Sequence, residues 1–278
     1  MFKTIGILYH PMKEAAVNLA KDMEQFLTAR KIVVWSCSAW EGDTARAKIN
    51  STDLILTIGG DGTILRAAQA IVPEKTPITG INLGNLGFMT ELSVDEAKDK
   101  TEYLLDGEGW IDERSLLEAE VTLSTDSPPH TFYALNDVVV ARGAVARVIH
   151  IAASIDGEPL TTYKADGVIV ATATGSTGYA LAAGGPILHP HSRDAVLIPI
   201  MPHLSANYCL VLSPDAVIQL NVQAVHPATL SIDGHTNLPL NSGAIITVKR
   251  SKHIIRFLRI HPESSFYSSL EKRLKGKR

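Results

Sequence analysis

Strands and helices alternate through the N-terminal part of the chain. Short β-branched runs at Thr4–Tyr9, 32–35, 53–58 and 77–82 read as buried strands, each bounded by turn chemistry. Between them, 13–30 carries Val17, Ala20, Met23 (or Glu24) and Leu27 at helical spacing, and 63–71 reads as a second helix. Ser93-Val94-Asp95-Glu96 has the form of a capping box, with Ser93 accepting from the Glu96 amide while Glu96 bonds back. Such alternation requires a parallel sheet covered on both faces.

The pattern changes near Gly107-Glu108-Gly109-Trp110. Beyond it come short strand-like segments, among them 116–123, 138–142, 148–155, 168–172, 217–222, Ala228–Ile232 and 245–249. Asp156-Gly157 and Asp233-Gly234 fall where hairpin turns belong, since glycine supplies positive φ. The expectation is an α/β N-terminal domain with a parallel sheet over 1–110, which carries the glycine turn described below. An all-β, sandwich-like domain over 111–262 follows. A C-terminal helix and basic tail over 263–278 would pack back on the first domain.

The chain has 278 residues, of which 45% are hydrophobic and 20% charged, with a formal net charge of −3. That near-neutral balance offers no polyanion-coating surface, so no nucleic-acid partner is expected. The one basic concentration, 272–278, reads as a solvated end. Cys37 and Cys209 lie far apart with no CxxC pairing, which suits a reducing compartment rather than a disulfide scaffold or zinc site. The N-terminus runs straight into an apolar strand without signal-peptide features, and no apolar run could cross a bilayer. The expected setting is the cytoplasm, with no membrane partner.

The first chemical signal follows the third strand: Gly59-Gly60-Asp61-Gly62-Thr63, then Ile64-Leu65-Arg66. Ligands of open α/β sheets bind at strand carboxyl ends, and helix N-termini favour anions. Glycines let backbone amides approach phosphate oxygens. An acid among them would repel phosphate, unless Asp61 holds a phosphate-bridging metal or takes the proton of an attacking hydroxyl. The plain alternative is a tight strand-to-helix turn with Asp61 as cap, and the motif alone leaves the two balanced. No Walker lysine follows and no GxGxxG is present. A second glycine-rich segment, Asn82-Leu83-Gly84-Asn85-Leu86-Gly87-Phe88, also stands at a strand end; alone it reads as a structural loop with Phe88 anchored in the core.

The stretch from Asp166 to Ile187 is dense in Gly, Ser and Thr with one aromatic, Tyr179. Hydroxyls offer donors and acceptors to a sugar or phosphate, and Tyr179 can stack on a flat ring. Upstream, Asn136-Asp137 precedes an apolar strand; the pair is either a turn or a reader of base and ribose edges. With these segments in register, the sequence resembles the NAD kinase family across nearly its whole length.

The resemblance implies transfer of the γ-phosphoryl of ATP to the 2′-hydroxyl of the adenosine ribose of NAD, giving NADP. Asp61 would be the catalytic acid–base residue, with Gly62 beside the dinucleotide and Arg66 facing it; the alternative for Arg66 is an exposed helix residue. Gly59, Gly60, Gly62 and Thr63 would bind the ATP phosphates. Asn136 and Asp137 would bind adenine and ribose hydroxyls. Arg147 and Lys164 would approach the dinucleotide, in part from a neighbouring subunit, and Asp166 would contact its nicotinamide end. Thr177, Gly178, Tyr179, Ala180, Leu181 and Ala182 would cradle the adenine side. His235 matches a late position of variable type, and a lone histidine is more often an ordinary residue. A divalent cation, Mg²⁺ or Mn²⁺, would accompany ATP with no fixed protein ligand set beyond Asp61, and the family implies a homo-oligomer, a dimer or tetramer.

Two departures stand inside the Thr-Pro-Thr-Gly-Ser-Thr-Ala-Tyr pattern: Ala173 replaces the proline and Gly178 the alanine. Neither removes a polar group. Segment 202–209 differs more, and no site is assigned there. Competing readings are a lipid kinase of the diacylglycerol or sphingosine type, more weakly a 6-phosphofructokinase, and a non-catalytic dinucleotide-binding regulator. The first two lack the 175–181 segment and the Asn136-Asp137 pair in this form; a regulator would gain nothing from an acid beside phosphate.

Overall fold

The computed structural model describes residues 2–84, 87–123, 128–144, 147–203, 207–224, 226–263 and 265–275. The N-terminal elements are β1 (Thr4–Tyr9), α1 (Glu14–Thr28), β2 (Val33–Ser38), α2 (Gly42–Ile49), β3 (Leu54–Ile58), α3 (Asp61–Ile71), β4 (Ile78–Asn82), β5 (Leu92–Ser93) and α4 (Ala97–Leu105). There follow β6 (Trp110–Thr122), β7 (His130–Ala134), β8 (Asp137–Arg142), β9 (Ile149–Ile155), β10 (Glu158–Ala165), β11 (Gly167–Ala171) and, after a 3₁₀ turn at Gly175–Thr177, α5 (Tyr179–Ala182). The last are β12 (Ala195–Ile200), β13 (Leu210–Leu212), β14 (Ile218–Gln223), β15 (Ala228–Ile232), β16 (Thr236–Leu240), β17 (Ile245–Arg259) and α6 (Ser265–Lys275). The chain divides into two units, Met1–Glu113 with Ile255–Arg278, and Arg114–Ile254.

In the first unit the strands run parallel in the order β2-β1-β3-β4, with β5 paired to β4 and Phe257 of β17 paired to Ile78. The chain leaves β1 on one side for β2 and returns past it for β3. That reversal makes a topological switch point at the carboxyl ends of β1 and β3. Helix α1 buries Ala16, Leu19, Ala20, Met23 and Leu27 against strand residues such as Ile5, Ile7, Leu54 and Leu56. The buried stripe therefore starts at Ala16 rather than Val17, a strict i, i+3, i+4, i+7 row. Strand β2 runs on to Ser38, past the apolar run that predicts it, because parallel pairing with β1 carries Ser36 and Ser38. The capping box forms in part. The Ser93 N–H donates to the Glu96 carboxylate at 3.0 Å, but the Ser93 hydroxyl also donates there, at 2.7 Å, instead of capping α4. These bonds, the hydroxyl's foremost, hold the Glu96 carboxyl below its usual range.

The second unit holds two antiparallel sets. One sheet has the order β13-β12-β11-β8-β15-β16; in the other set β10, β9, β14 and β17 are neighbours, and β6 pairs with β7 and β17. Period-2 alternation explains the unbroken apolar runs. Val138, Val140, Val168 and Val170 enter the core shared with β9, β14 and β17, while Val139, Ile169 and Ala171 face a smaller cluster completed by Ala180 of α5. This is the expected sandwich. Asp156 (φ 53°) and Gly157 (φ 85°) close the β9–β10 hairpin, and Asp233 (φ 50°) and Gly234 (φ 72°) sit in the β15–β16 turn. Among the described residues, no helix is long and apolar enough to cross a membrane.

Candidate active site

In the first unit, β3 ends at Ile58 and the chain turns through Gly59 and Gly60 into α3, whose first residue is Asp61. A Cβ on Gly59 would fall on the Thr63 side chain, so that glycine has a packing reason. Gly60 and Gly62 have none: apart from the adjoining backbone, no atom of the described residues lies within 4 Å of where their Cβ would sit, and neither needs positive φ. Glycine near a helix start loses up to about 1 kcal/mol relative to alanine, and here nothing inside the chain offsets it.

Asp61 is half-buried, and its two carboxylate oxygens accept the backbone N–H groups of Phe88 (2.9 Å) and Met89 (3.1 Å). The second glycine-rich segment therefore orients the acid of the first. Gly87 permits this approach, since a Cβ there would overlap the Asp61 carboxylate. The loop is braced in turn: the Thr90 hydroxyl accepts from Asn82 Nδ2 (3.2 Å) and from the Gly87 N–H (2.8 Å). Arg259 donates to the Met89 carbonyl at 2.7 Å, and Arg273 of α6 donates to the Gly87 carbonyl. Met89, 2% exposed, is the core anchor of this loop rather than the half-buried Phe88 expected for it; Asn85 and Leu86 lie outside the described residues. Arg259 is itself buried between Asp112 and Glu91, at 3.1 Å from each. These charges have no local sequence signature and were not expected.

Arg66 is half-buried one turn into α3, with its guanidinium 4.3 Å over the Trp40 ring. The Thr63 hydroxyl is buried without a hydrogen-bond partner among the described residues.

In the second unit, Asn136, Asp137, Tyr179 and Asp233 line a cavity of about 440 Å³ together with Val139 and Ser231. Asp233, expected only as a hairpin residue, is the organiser. Its carboxylate accepts the N–H groups of Leu135 (2.9 Å), Asn136 (2.7 Å) and Asp137 (3.1 Å), and its own N–H returns to the Asp137 carbonyl at 3.0 Å. From the other side, Thr172 donates its hydroxyl to the Leu135 carbonyl (2.6 Å) and its N–H to the Asn136 carbonyl (2.9 Å). Gly175 lies so close that a Cβ would collide with the Asn136 carbonyl. The outcome is a braced backbone that presents Asn136 Oδ1, buried and without a partner among the described residues, beside the cavity. Burial, with the Asp233 carboxylate second, raises the Asp137 carboxyl to about 7.

Tyr179 is 46% exposed and Ala180 is buried in the smaller cluster; Thr177 is buried, its hydroxyl donating to the Thr174 carbonyl at 3.2 Å. The Gly178 Cβ position lies 3.2 Å from the Gly175 carbonyl and 3.5 Å from Asn136 Nδ2, while Leu181 is half-buried and Ala182 exposed. Asp166 pairs with Arg142 at 3.0 Å, and Lys164 is half-buried at the end of β10. Arg147 is exposed, and the His235 ring nitrogen Nδ1 lies 3.1 Å from the Asp233 carbonyl. Of these predicted residues only Tyr179 lines the cavity; Thr177, Gly178, Ala180, Leu181, Ala182, Arg147, Lys164, Asp166 and His235 are not among its lining residues. Among the described residues, no three His, Cys, Asp or Glu side chains cluster as a metal site.

Comparison with known proteins brings the two units under one heading. Residues 34–109 match the family model of the ATP-NAD kinase N-terminal domain, and residues 135–260 match that of the ATP-NAD kinase C-terminal domain. An NAD kinase of Dehalococcoides mccartyi BAV1 is 52% identical over 276 residues, covering 99% of this chain and 97% of that one. One from Chloroflexus aurantiacus is 40% identical over 276 residues, covering 99% of each. Among solved structures, an NAD kinase from Archaeoglobus fulgidus in complex with ATP aligns with a TM-score of 0.79 at 26% identity, covering 98% of this chain and 99% of that one. A yeast NADH kinase complexed with NADH aligns with a TM-score of 0.88 at 22% identity, covering 98% and 87%, a likeness of fold. Both halves match in order and the relatives match end to end: the chain belongs to the NAD kinase family.

Proposed function

We infer that the chain is an NAD kinase, transferring the γ-phosphoryl of ATP to the 2′-hydroxyl of the adenosine ribose of NAD to give NADP. The observation that carries this reading is the Asp61 carboxylate. It stands at the start of α3 between two glycines that face open space, and two amides of the 87–89 loop aim it. A carboxylate so placed can accept the proton of a ribose hydroxyl while the turn amides and helix N-terminus receive phosphate oxygens. Asn136, Asp137 and Tyr179 would take the adenosine half of NAD in their cavity, Asp137 accepting from ribose hydroxyls and Tyr179 stacking on the base. Thr177, Gly178, Ala180, Leu181 and Ala182 would back that cavity. Arg147, Lys164, Asp166 and His235 would make the outer contacts, some across a subunit boundary in a homo-oligomer.

A divalent cation fits this donor set. Mg²⁺ is commonly held by one or two acids beside bound phosphates, the remaining ligands coming from phosphates and water. When bound, it would neutralise charge on the triphosphate. It would reach the turn with the triphosphate, near Asp61, while the chain's own work is positioning and, at Asp61, proton acceptance. The cytoplasm fits two free cysteines, one of them, Cys37, buried with its thiol pushed up to about 11, mainly by desolvation. The lipid-kinase and regulator readings have no supporting observation. The test is incubation with ATP, Mg²⁺ and NAD, the product being read with an NADP-specific dehydrogenase. NADP formation supports the reading; NAD binding without product at any metal or donor would point to a regulator instead.

A further inference from the structure

Three carboxyl ends of adjacent parallel strands meet at the switch point of the first unit, and each delivers one residue. His10 follows β1, Trp40 follows β2 and Gly59 follows β3, and the His10 N–H donates to the Ile58 carbonyl at 3.0 Å. The His10 ring packs edge-on against Trp40, with centroids 4.7 Å apart at 64°. On Trp40, 40% exposed, lies the Arg66 guanidinium at 4.3 Å, and no carboxylate pairs with Arg66 among the described residues. Arg66 stands four residues after Gly62, so the two share a helix face, and the Gly62 side of that face is open.

We propose that Trp40, braced by His10, is a positioning residue that holds the Arg66 guanidinium on the open face above Gly62, where it receives the phosphate oxygens of a bound nucleotide. The proposal rests on the kinase reading, in which the resemblance already has Arg66 facing the nucleotide, and extends it to Trp40 and His10. A guanidinium stacked on an aromatic face keeps its planar fork of donors free and loses less freedom on binding an anion. It would add a fixed positive charge to the field of the α3 N-terminus, at the edge where open α/β sheets take their ligands. Two sources carry the same chemistry, the triphosphate of the donor and the pyrophosphate of the dinucleotide, and the experiment separates them.

The full chain and its Trp40→Leu, Trp40→Phe, Arg66→Ala and Trp40→Leu/Arg66→Ala variants would be titrated calorimetrically with MgATP alone and with NAD alone, and their melting temperatures recorded. The expected result is a roughly tenfold loss of affinity for one of the two nucleotides in Trp40→Leu, largely restored in Trp40→Phe, with little change in melting. Arg66→Ala should lose at least as much, and adding Trp40→Leu to it should change nothing further. A loss confined to MgATP assigns Arg66 to the donor, one confined to NAD to the acceptor. Unchanged affinities in Trp40→Leu, additive losses in the double variant, or equal losses for both nucleotides with lowered melting would overturn the proposal. Failure of the unaltered chain to bind either nucleotide would remove the kinase reading and this proposal together. Binding without NADP formation would remove the first and leave the second measurable.

Discussion

Asp61 and Arg259 hold opposite sides of Met89: its N–H donates to Asp61 Oδ1 at 3.1 Å, and its carbonyl accepts from Arg259 Nη1 at 2.7 Å. The acid of the glycine turn is thus aimed by a loop that is itself tied to a buried ionic cluster. Arg259→Met should lower stability by about 3–5 kcal/mol, because it leaves Asp112 and Glu91 buried without their countercharge. It should also lower kcat more than it raises the KM for either substrate, since Met89 would lose its anchor. Urea denaturation and steady-state kinetics check both. Unchanged stability would mean that the carboxylates repartner.

Gly62 has open space where a side chain would go and no conformational need for glycine. Gly62→Ala should therefore raise stability by up to about 1 kcal/mol while weakening nucleotide binding, a gain and a loss in opposite directions. Gly84→Ala, outside the turn and likewise without an obstructing atom among the described residues, is the comparison. Thermal melts and KM values for ATP and NAD would read the split; an unchanged KM for both in Gly62→Ala would free that position from ligand contact.

Asp233 satisfies three consecutive amides, those of Leu135, Asn136 and Asp137. Asp233→Ala should cost about 3–5 kcal/mol, with Asp233→Asn intermediate because it keeps one acceptor oxygen. Hydrogen exchange should accelerate first at those three amides. Acceleration spread evenly over the unit would argue against a local clamp.

The Asp137 carboxyl is raised to about 7 in the folded chain, against about 3.9 when unfolded, by burial and then by Asp233. Between those values the folded state keeps a proton that the unfolded state has lost. Stability from this group therefore falls as pH rises from about 4 to 7 and is flat above. Asp137→Asn should remove that slope, with a gain of order 2–4 kcal/mol at pH 8 that shrinks at pH 5 and vanishes below about pH 4. Denaturation at the three pH values measures it. An equal effect at all three would mean that Asp137 does not titrate in this range.

Much of the scaffold was legible because local and tertiary demands agree. The β-branched runs of β1, β3 and β4 are buried strands, and both Asp-Gly turns take the positive φ that their composition calls for. Elements with mixed signals were harder. Strand β12 is an apolar run, but Pro199 within it argues against a central strand, and β10 mixes polar and apolar residues with only Tyr163 and Ala165 buried. Helix α2 is short, begins with glycine and has no side-chain cap. The glycine turn and the Asn136-Asp137 pair were visible as composition, but their supports were not. Asp233 is fully accounted for locally by its hairpin, so its bonds to residues nearly a hundred positions away leave no trace in sequence. Arg259 depends on Asp112 and Glu91 in the same way, through contacts that only folding creates.

The most direct test of the kinase reading is Asp61→Asn, which keeps the size of the side chain and an acceptor for one of the two loop amides while removing the proton acceptor. NADP formation from ATP, Mg²⁺ and NAD should fall at least roughly 100-fold in kcat, with the dissociation constant for NAD changed by less than about threefold. Turnover near that of the unaltered chain would take Asp61 out of the chemistry, and with it the observation on which the assignment rests.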